Sequence, residues 1–207
     1  VDLMGTAFDL AEKYRMPALI LADGMLGQMM EPVEFPESAQ VKQYDKPWAT
    51  TGTQGKRKKN IINSLFLQAD ELETINLGRF ERYQKVMENE QRWEEFMLDD
   101  AEVVVVAYGA SARIAKNAIR AAREKGIKVG LIRPISLWPF PEKILREKAK
   151  TAKAFVSVEL SMGQMINDVR LAIECARPVY LCNRVGGMVM TPDEVEAVIV
   201  KAQGGAK

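Results

Sequence analysis

The sequence predicts an α/β fold over residues 101–203, three layers built around a mainly parallel sheet. Two observations carry this. Val103 to Ala107 is an unbroken apolar run. A strand covered on both faces reads that way, whereas a strand with one wet face alternates. From there to the C-terminus, strand-like and helix-like stretches alternate, the signature of βαβ units with right-handed parallel crossovers.

The chain has 207 residues and opens at Val1. Leu3 to Tyr14 is expected to be a helix, with Leu3, Ala7, Leu10 and Ala11 on one face. Pro17 opens an expected short buried strand, Ala18 to Ala22. Asp23-Gly24 turns the chain, and Met25 to Met30 has room for one helical turn before Pro32. One helix and one strand cannot close a core. Residues 1–35 are therefore read as the tail end of a preceding α/β domain that is mostly absent.

Residues 36–69 are irregular, punctuated by Pro36, Pro47, Gly52 and Gly55. Loops of this length connect domains or carry a function. Lys56-Arg57-Lys58-Lys59 is a basic cluster, either a solvated loop or a contact with an acidic partner or phosphate-bearing ligand. Glu71 to Asp100 is expected to be one long charged helix. Its ragged apolar stripe is Ile75, Phe80, Tyr83, Met87, Trp93, Phe96 and Met97. Residues 36–100 are read as a linker ending in this helix.

The opening βαβ unit runs from a strand at Glu102 to Ala107, through Tyr108-Gly109, into a helix with Ser111 as its expected N-cap. Ala115, Ala118, Ile119 and Ala122 form its apolar stripe, and Gly126 supplies a left-handed stop after Lys125. A second strand, Ile127 to Ile132, follows. Arg133 to Pro141 holds three prolines and two aromatics, which forbid a helix and stiffen the connection. Pro141 is expected at the first position of a helix over Glu142 to Ala149. Ala154 to Val158 is a third strand. The next helix turns Met165, Ile166, Val169, Ile173 and Ala176 inward, and Pro178 to Cys182 is a fourth strand. Asn183 to Met190 is a Gly-Gly loop. Thr191-Pro192-Asp193-Glu194 opens the last helix with a capping box. That helix runs to about Ala202, and Gly204-Gly205 ends the order.

Composition removes several function classes. The net charge of +1 builds no field for nucleic acid or an anionic membrane. Histidine is absent, which excludes imidazole zinc sites and Ser-His-Asp triads within this chain. Cys175 and Cys182 are the only cysteines, too few for the roughly four thiolates of an iron–sulfur cluster, and they read as small core hydrophobes. No apolar run reaches the roughly 20 residues of a membrane-spanning helix. With no signal-peptide pattern, a cytoplasmic location is the default expectation.

Ligands and partners of parallel sheets meet the C-terminal strand ends. Here these are Gly109 to Ser111, Arg133 to Trp138, Glu159 to Gln164, and Asn183 to Gly187. Gly109 to Arg113 holds one glycine of the three in a dinucleotide fingerprint, so a plain strand–helix turn stands beside phosphate contact. Glu159 is a functional carboxylate, a cap for the helix after Gly163, or a partner for an arginine across a subunit boundary. Trp138 and Phe140, next to Arg133, are either core or interface anchors. The methionines of 25–30, with Met162, Met165, Met188 and Met190, fill core or subunit contacts.

Asp23-Gly-Met-Leu-Gly-Gln-Met-Met-Glu-Pro-Val33, Lys46-Pro-Trp-Ala-Thr-Thr-Gly52, Val106 to Arg113 and Leu131-Ile-Arg-Pro-Ile-Ser-Leu-Trp-Pro-Phe-Pro141 resemble the alpha subunit of 2-oxoacid:ferredoxin oxidoreductases, branched-chain type. The resemblance covers essentially the whole chain. It implies that residues 101–207 are similar to a transketolase C-terminal domain and that residues 1–35 end a thiamine pyrimidine-binding domain. It implies oxidative decarboxylation of a 2-oxo acid such as 3-methyl-2-oxobutanoate to an acyl-CoA, with electrons passed to ferredoxin. Thiamine diphosphate with Mg²⁺ would be shared with another subunit. Iron–sulfur clusters and coenzyme A would lie on partner subunits, with none of these groups held by this portion alone. The glutamate that activates the cofactor would precede Val1, so no catalytic residue carries over and the portion alone is expected to be inactive. Asp23 and Gly24 are expected near the thiamine-domain interface. Arg133, Trp138, Phe140, Glu159 and Gln164 are the expected subunit interface. The expected partners are other subunits in an oligomer, and ferredoxin through them. A transketolase or dehydrogenase E1 subunit, and a non-catalytic nucleotide- or partner-binding module, are the alternatives.

Overall fold

The computed structural model describes residues 1–35 and 42–204. Pro36 and Gly205, which figured in the sequence reading, lie outside the described residues. The chain forms two compact units, Val1–Leu21 with Met30–Val86, and Ala22–Met29 with Met87–Lys207.

In the first unit, helix α1 spans Asp2–Tyr14 and ends at Arg15, which is left-handed at φ 50°. The strand expected over Ala18 to Ala22 does not form, and those residues are exposed and irregular. A strand needs a neighbour for its N–H and C=O groups, and the described part of this unit contains no other strand. Tyr14 and Val86 are its only buried hydrophobics among the described residues, while Phe8, Leu19, Leu21 and Leu67 face outward. One member of the basic cluster works as a loop clamp. The Arg57 guanidinium donates to the Ala49 carbonyl at 2.7 Å and the Thr51 hydroxyl at 3.2 Å. Lys56, Lys58 and Lys59 are exposed.

Helix α2 is the short turn Gly24–Gln28, and α3 spans Ala69–Asn89. The expected helix over Glu71 to Asp100 therefore stops early. Trp93–Phe96 is instead strand β1, antiparallel to β3 (Val129–Pro134), with Trp93 opposite Pro134 and Phe96 opposite Leu131. Three residues apart, Trp93 and Phe96 fit a helical stripe as well as the two faces of a strand. The open edge of β3 decides, because only a strand can pair with it. Trp93 then packs on one core cluster and Phe96 on the other.

The second unit continues with β2 (Val103–Val106), α4 (Gly109–Glu124), β3, α5 (Glu142–Ala149), β4 (Ala154–Glu159), α6 (Met165–Ala172), β5 (Val179–Asn183) and α7 (Pro192–Gly204). The sheet order is β1-β3-β2-β4-β5, parallel except for β1. All four valines of β2 are 0% exposed, as the apolar run requires of a central strand. Val103 and Val105 pack under α4 and α7, and Val104 and Val106 under α5 and α6.

Several local expectations shift. Ser111 is not the cap of α4. The helix begins at Gly109 with Tyr108 at the cap position, and the Ser111 hydroxyl faces the Met190 sulfur at 3.9 Å. The strand expected from Ile127 begins at Val129, because the Ile127 N–H donates to the Ala122 carbonyl at 3.1 Å and closes α4 around left-handed Gly126. Pro141 occupies the cap position of α5, one residue earlier than expected. Glu174 and Cys175 are left-handed (φ 54° and 55°), which leaves Ala176 outside α6, and Cys175 is exposed rather than core. Cys182 is buried. The capping box is present in both directions: Thr191 N–H donates to Glu194 Oε2 at 2.9 Å, and Glu194 N–H to Thr191 Oγ1 at 3.3 Å.

Candidate functional site

From β2 the chain passes through α4 to β3 on one side, and from β4 through α6 to β5 on the other, over opposite faces. The C-terminal ends of β2 and β4 are neighbours, with Val106 paired to Ser157. Parallel sheets receive ligands in the crevice at this switch point. Helix α2 sits there. Asp23 caps it, with Oδ1 accepting the Leu26 N–H at 2.7 Å. Asp23 Oδ2 and the Leu26 side chain lie 3.8 Å from where a Cβ on Gly109 would stand. Asp23 and Gly109, 86 positions apart in the chain, thus meet at the first turn of α4.

Glu159 ends β4 at the second helix of the crevice. It is 5% exposed. Its Oε1 accepts from the Ser157 hydroxyl at 2.9 Å and Ile166 N–H at 3.0 Å. Its Oε2 accepts from the Ser161 hydroxyl at 2.6 Å and the N–H groups of Gln164 and Met165 at 2.8 and 2.9 Å. The carboxylate therefore occupies the anion seat at the N-terminus of α6. Burial alone would raise its pKa. The hydrogen bonds from Ser161, Met165, Ser157 and Gln164 outweigh burial and hold it below the usual range. Burial, then the Glu159 charge, pushes the Tyr108 phenol and the Asp168 carboxyl upward, with Asp168 adding to the effect on Tyr108. The sequence carried a signal for this cap. Ser157, Glu159 and Ser161 recur at a spacing of two, the period of one strand face.

Beside α2 a cavity of about 550 Å³ opens, walled by Asp23, Met25, Met29, Leu160, Gly187 and Met188. Gly186 and Gly187 are both left-handed (φ 65° and 86°), which carries the chain around its rim. Gly24 is the first residue of α2 and has open space where a Cβ would be. Gln164 is exposed at the cap position of α6. Arg133 Nε donates to Glu94 Oε2 at 2.7 Å. Lys116 and Arg133 together hold the Glu94 carboxyl low, against its burial. Phe140 packs against the α5/α6 core cluster, and Trp138 is 52% exposed.

The residues do not fit an iron–sulfur cluster. The buried Cys182 thiol is pushed up by burial and by Glu194, against Arg184, and Cys175 lies in the turn after α6. Two separated thiols cannot supply the roughly four thiolates such a cluster needs. No three His, Cys, Asp or Glu side chains converge among the described residues. No helix among the described residues is long and apolar enough to cross a membrane.

Residues 101–195 match the family described as pyruvate:ferredoxin oxidoreductase core domain II. A protein named ketoisovalerate oxidoreductase subunit VorB, from Methanothermobacter marburgensis, is 52% identical over 186 residues, 90% of this chain and 52% of the relative. The protein of the same name from Methanothermobacter thermautotrophicus is 47% identical over 98% of this chain and 57% of the relative. The chain belongs to the 2-oxoacid:ferredoxin oxidoreductases. It spans about half the length of these oxidoreductase relatives. A solved 2-oxoglutarate:ferredoxin oxidoreductase from Magnetococcus marinus, with 2-oxoglutarate, coenzyme A and succinyl-CoA bound, has the same fold. It superposes with a TM-score of 0.70 over 93% of this chain and 38% of that one, at 19% identity.

Proposed function

We propose that this chain is part of a subunit of a thiamine-dependent 2-oxoacid:ferredoxin oxidoreductase. The assembled enzyme oxidises 3-methyl-2-oxobutanoate with coenzyme A to an acyl-CoA and CO₂, passing two electrons to ferredoxin. The observation that carries this is the 52% identity, over 90% of the chain, to a protein named for ketoisovalerate oxidation. The site geometry supports a role in assembly rather than in nucleotide capture. Glu159 fills the anion seat of α6 at the switch point, and Asp23 stands at the start of α4. The phosphate seats of a nucleotide-binding module therefore already hold the chain's own carboxylates. In this reading residues 1–35 end the pyrimidine-binding domain, 36–100 link, and 101–207 support the thiamine site from a neighbouring position. Thiamine diphosphate supplies carbanion chemistry when bound, and the cluster and Mg²⁺ ligands come from other chains.

The test is purification of the complex containing the full-length subunit from the native cell. Thiamine, iron–sulfur absorbance and 3-methyl-2-oxobutanoate-dependent ferredoxin reduction are expected together. A colourless, thiamine-free protein without partners would overturn the reading.

Leu137, Trp138, Met162 and Met188 all follow C-terminal strand ends and are 40%, 52%, 79% and 59% exposed. An edge with this much apolar surface fits a subunit contact. Trp138→Ala is expected to weaken subunit association by roughly tenfold or more, as for an interface anchor. The thermal midpoint of the isolated subunit should barely move. Analytical ultracentrifugation beside a melting curve measures both, and equal losses in the two would sink the interface role.

A further inference from the structure

The first unit holds a second cavity, of about 560 Å³, with a different chemistry. Arg15, Arg79 and Arg82 line it, together with Ile62, Ile75 and Gly78, and no carboxylate does among the described residues. Ile75, Gly78, Arg79 and Arg82 fall at i, i+3, i+4 and i+7, so one face of α3 builds the wall. Arg15 reaches it from the left-handed end of α1, its guanidinium 4.5 Å from the centre of the Trp48 ring. Arg15 is exposed, and this cation–π contact is made through the face of the indole ring. Arg79 donates only a long bond, 3.4 Å, to the Asn76 side chain. Arg82 is half-buried and has no hydrogen bond or ion pair among the described residues.

Three like charges gathered at one concavity repel one another unless an anion joins them. Gly78, which is exposed, leaves the backbone of this wall uncovered. Glycine is a poor helix former, yet it sits inside a 21-residue helix where an added Cβ would meet nothing within 4 Å. Open space at a helix glycine lets a ligand approach the backbone. The cavity is far larger than an inorganic phosphate, and its mainly polar lining includes an apolar part at Ile62 and Ile75. The geometry points to a binding site for an organic diphosphate of nucleoside size, its phosphates held by the arginine forks and its organic part against the isoleucines. This site is separate from the switch-point crevice and does not depend on the reaction proposed above.

The experiment uses the full-length subunit in its complex, saturated with thiamine diphosphate so that the cofactor's own diphosphate seat is filled. ADP is titrated calorimetrically, with adenosine and inorganic pyrophosphate as comparison probes. ADP is expected to bind saturably, pyrophosphate more weakly, and adenosine not at all. Arg79→Gln and Arg82→Gln should each weaken ADP by about tenfold, the usual loss for one charge-assisted bond. Gly78→Leu should abolish the same binding event without lowering the thermal midpoint, since its side chain enters open space. ADP affinity that is the same in wild type and in the double arginine variant would overturn the proposal. So would adenosine binding as tightly as ADP, or a Gly78→Leu protein that binds ADP normally. An acidic segment of the assembly already seated on the arginines would appear as no arginine-dependent ADP binding, the overturning result.

Discussion

Glu159→Gln is expected to destabilise the second unit by about 3 kcal/mol, because one amide cannot do what the carboxylate does. Glu159 accepts five hydrogen bonds, three of them from the N–H groups of the cap residue Gln164 and of Met165 and Ile166 at the start of α6. Glutamine keeps one acceptor oxygen and puts an NH₂ donor against the N–H groups of Met165 and Ile166, leaving Gln164 N–H its second acceptor, the Ser161 hydroxyl at 3.3 Å. It also removes the negative charge from the positive end of a helix. Urea unfolding with an unchanged slope and a lower midpoint is the expected record. A shift below about 0.5 kcal/mol, the range of ordinary surface changes, would show that the cap is not what holds this corner.

The same group sets a pH dependence. The folded-state pKa of Glu159 lies below its ordinary value of 4.5. Between the two values the unfolded chain binds more protons than the folded one, so stability rises with pH there. The contribution is fully present above pH 4.5 and is lost as pH falls through the depressed folded value. Glu159→Gln should flatten that part of the acid limb. The Tyr108 phenol and Asp168 carboxyl, both raised first by burial and then by Glu159, should titrate lower in the same variant. An unchanged acid limb would place the lost stability elsewhere.

Gly130→Ala is expected to cost roughly 3 kcal/mol, at the upper end of what overpacking does. Gly130 lies in β3, and a Cβ there would stand 2.4 Å from the Met97 carbonyl oxygen and 2.8 Å from Leu98 Cα. Both are backbone atoms, so no side chain can turn aside. The turn cannot retreat easily either. Met97 is left-handed at φ 49°, and its carbonyl accepts from Arg123 Nη2 at 2.6 Å. Arg123 also donates through Nε to the Val129 carbonyl at 2.7 Å and through Nη2 to Asp100 at 2.6 Å. The turn, β3 and α4 are thus tied at one guanidinium. Equilibrium unfolding measures the loss. An alanine variant within about 1 kcal/mol of wild type would mean that this turn yields.

Gly130 also shows how far a sequence can be read. A lone glycine inside a strand run signals close backbone approach, but not by what. The approaching atoms come from a turn more than 30 residues earlier, whose position depends on β1 joining the sheet. Trp93 to Phe96 is the same case. Its apolar spacing suits a helix or a strand, and the choice is made by the unpaired edge of β3. Ala18 to Ala22 differs in the opposite direction, since a strand-like run stays irregular where the described residues of its unit offer no strand edge.

From the sequence alone came the alternation of strands and helices from residue 101, the buried centre at Val103 to Val106, the Gly126 stop and the Thr191–Glu194 box. These follow from periodicity and from backbone groups a few residues apart, which local chemistry controls. The motifs Asp23 to Val33 and Leu131 to Pro141 also carried the family. Tertiary structure alone decided that Asp23 reaches Gly109, that Glu159 spends its carboxylate on α6, and that Arg15 joins Arg79 and Arg82 around one cavity. Each brings together groups from different elements. Charge and hydrogen-bonding capacity are properties of a residue, but whether they are already satisfied depends on what the fold brings within about 3 Å.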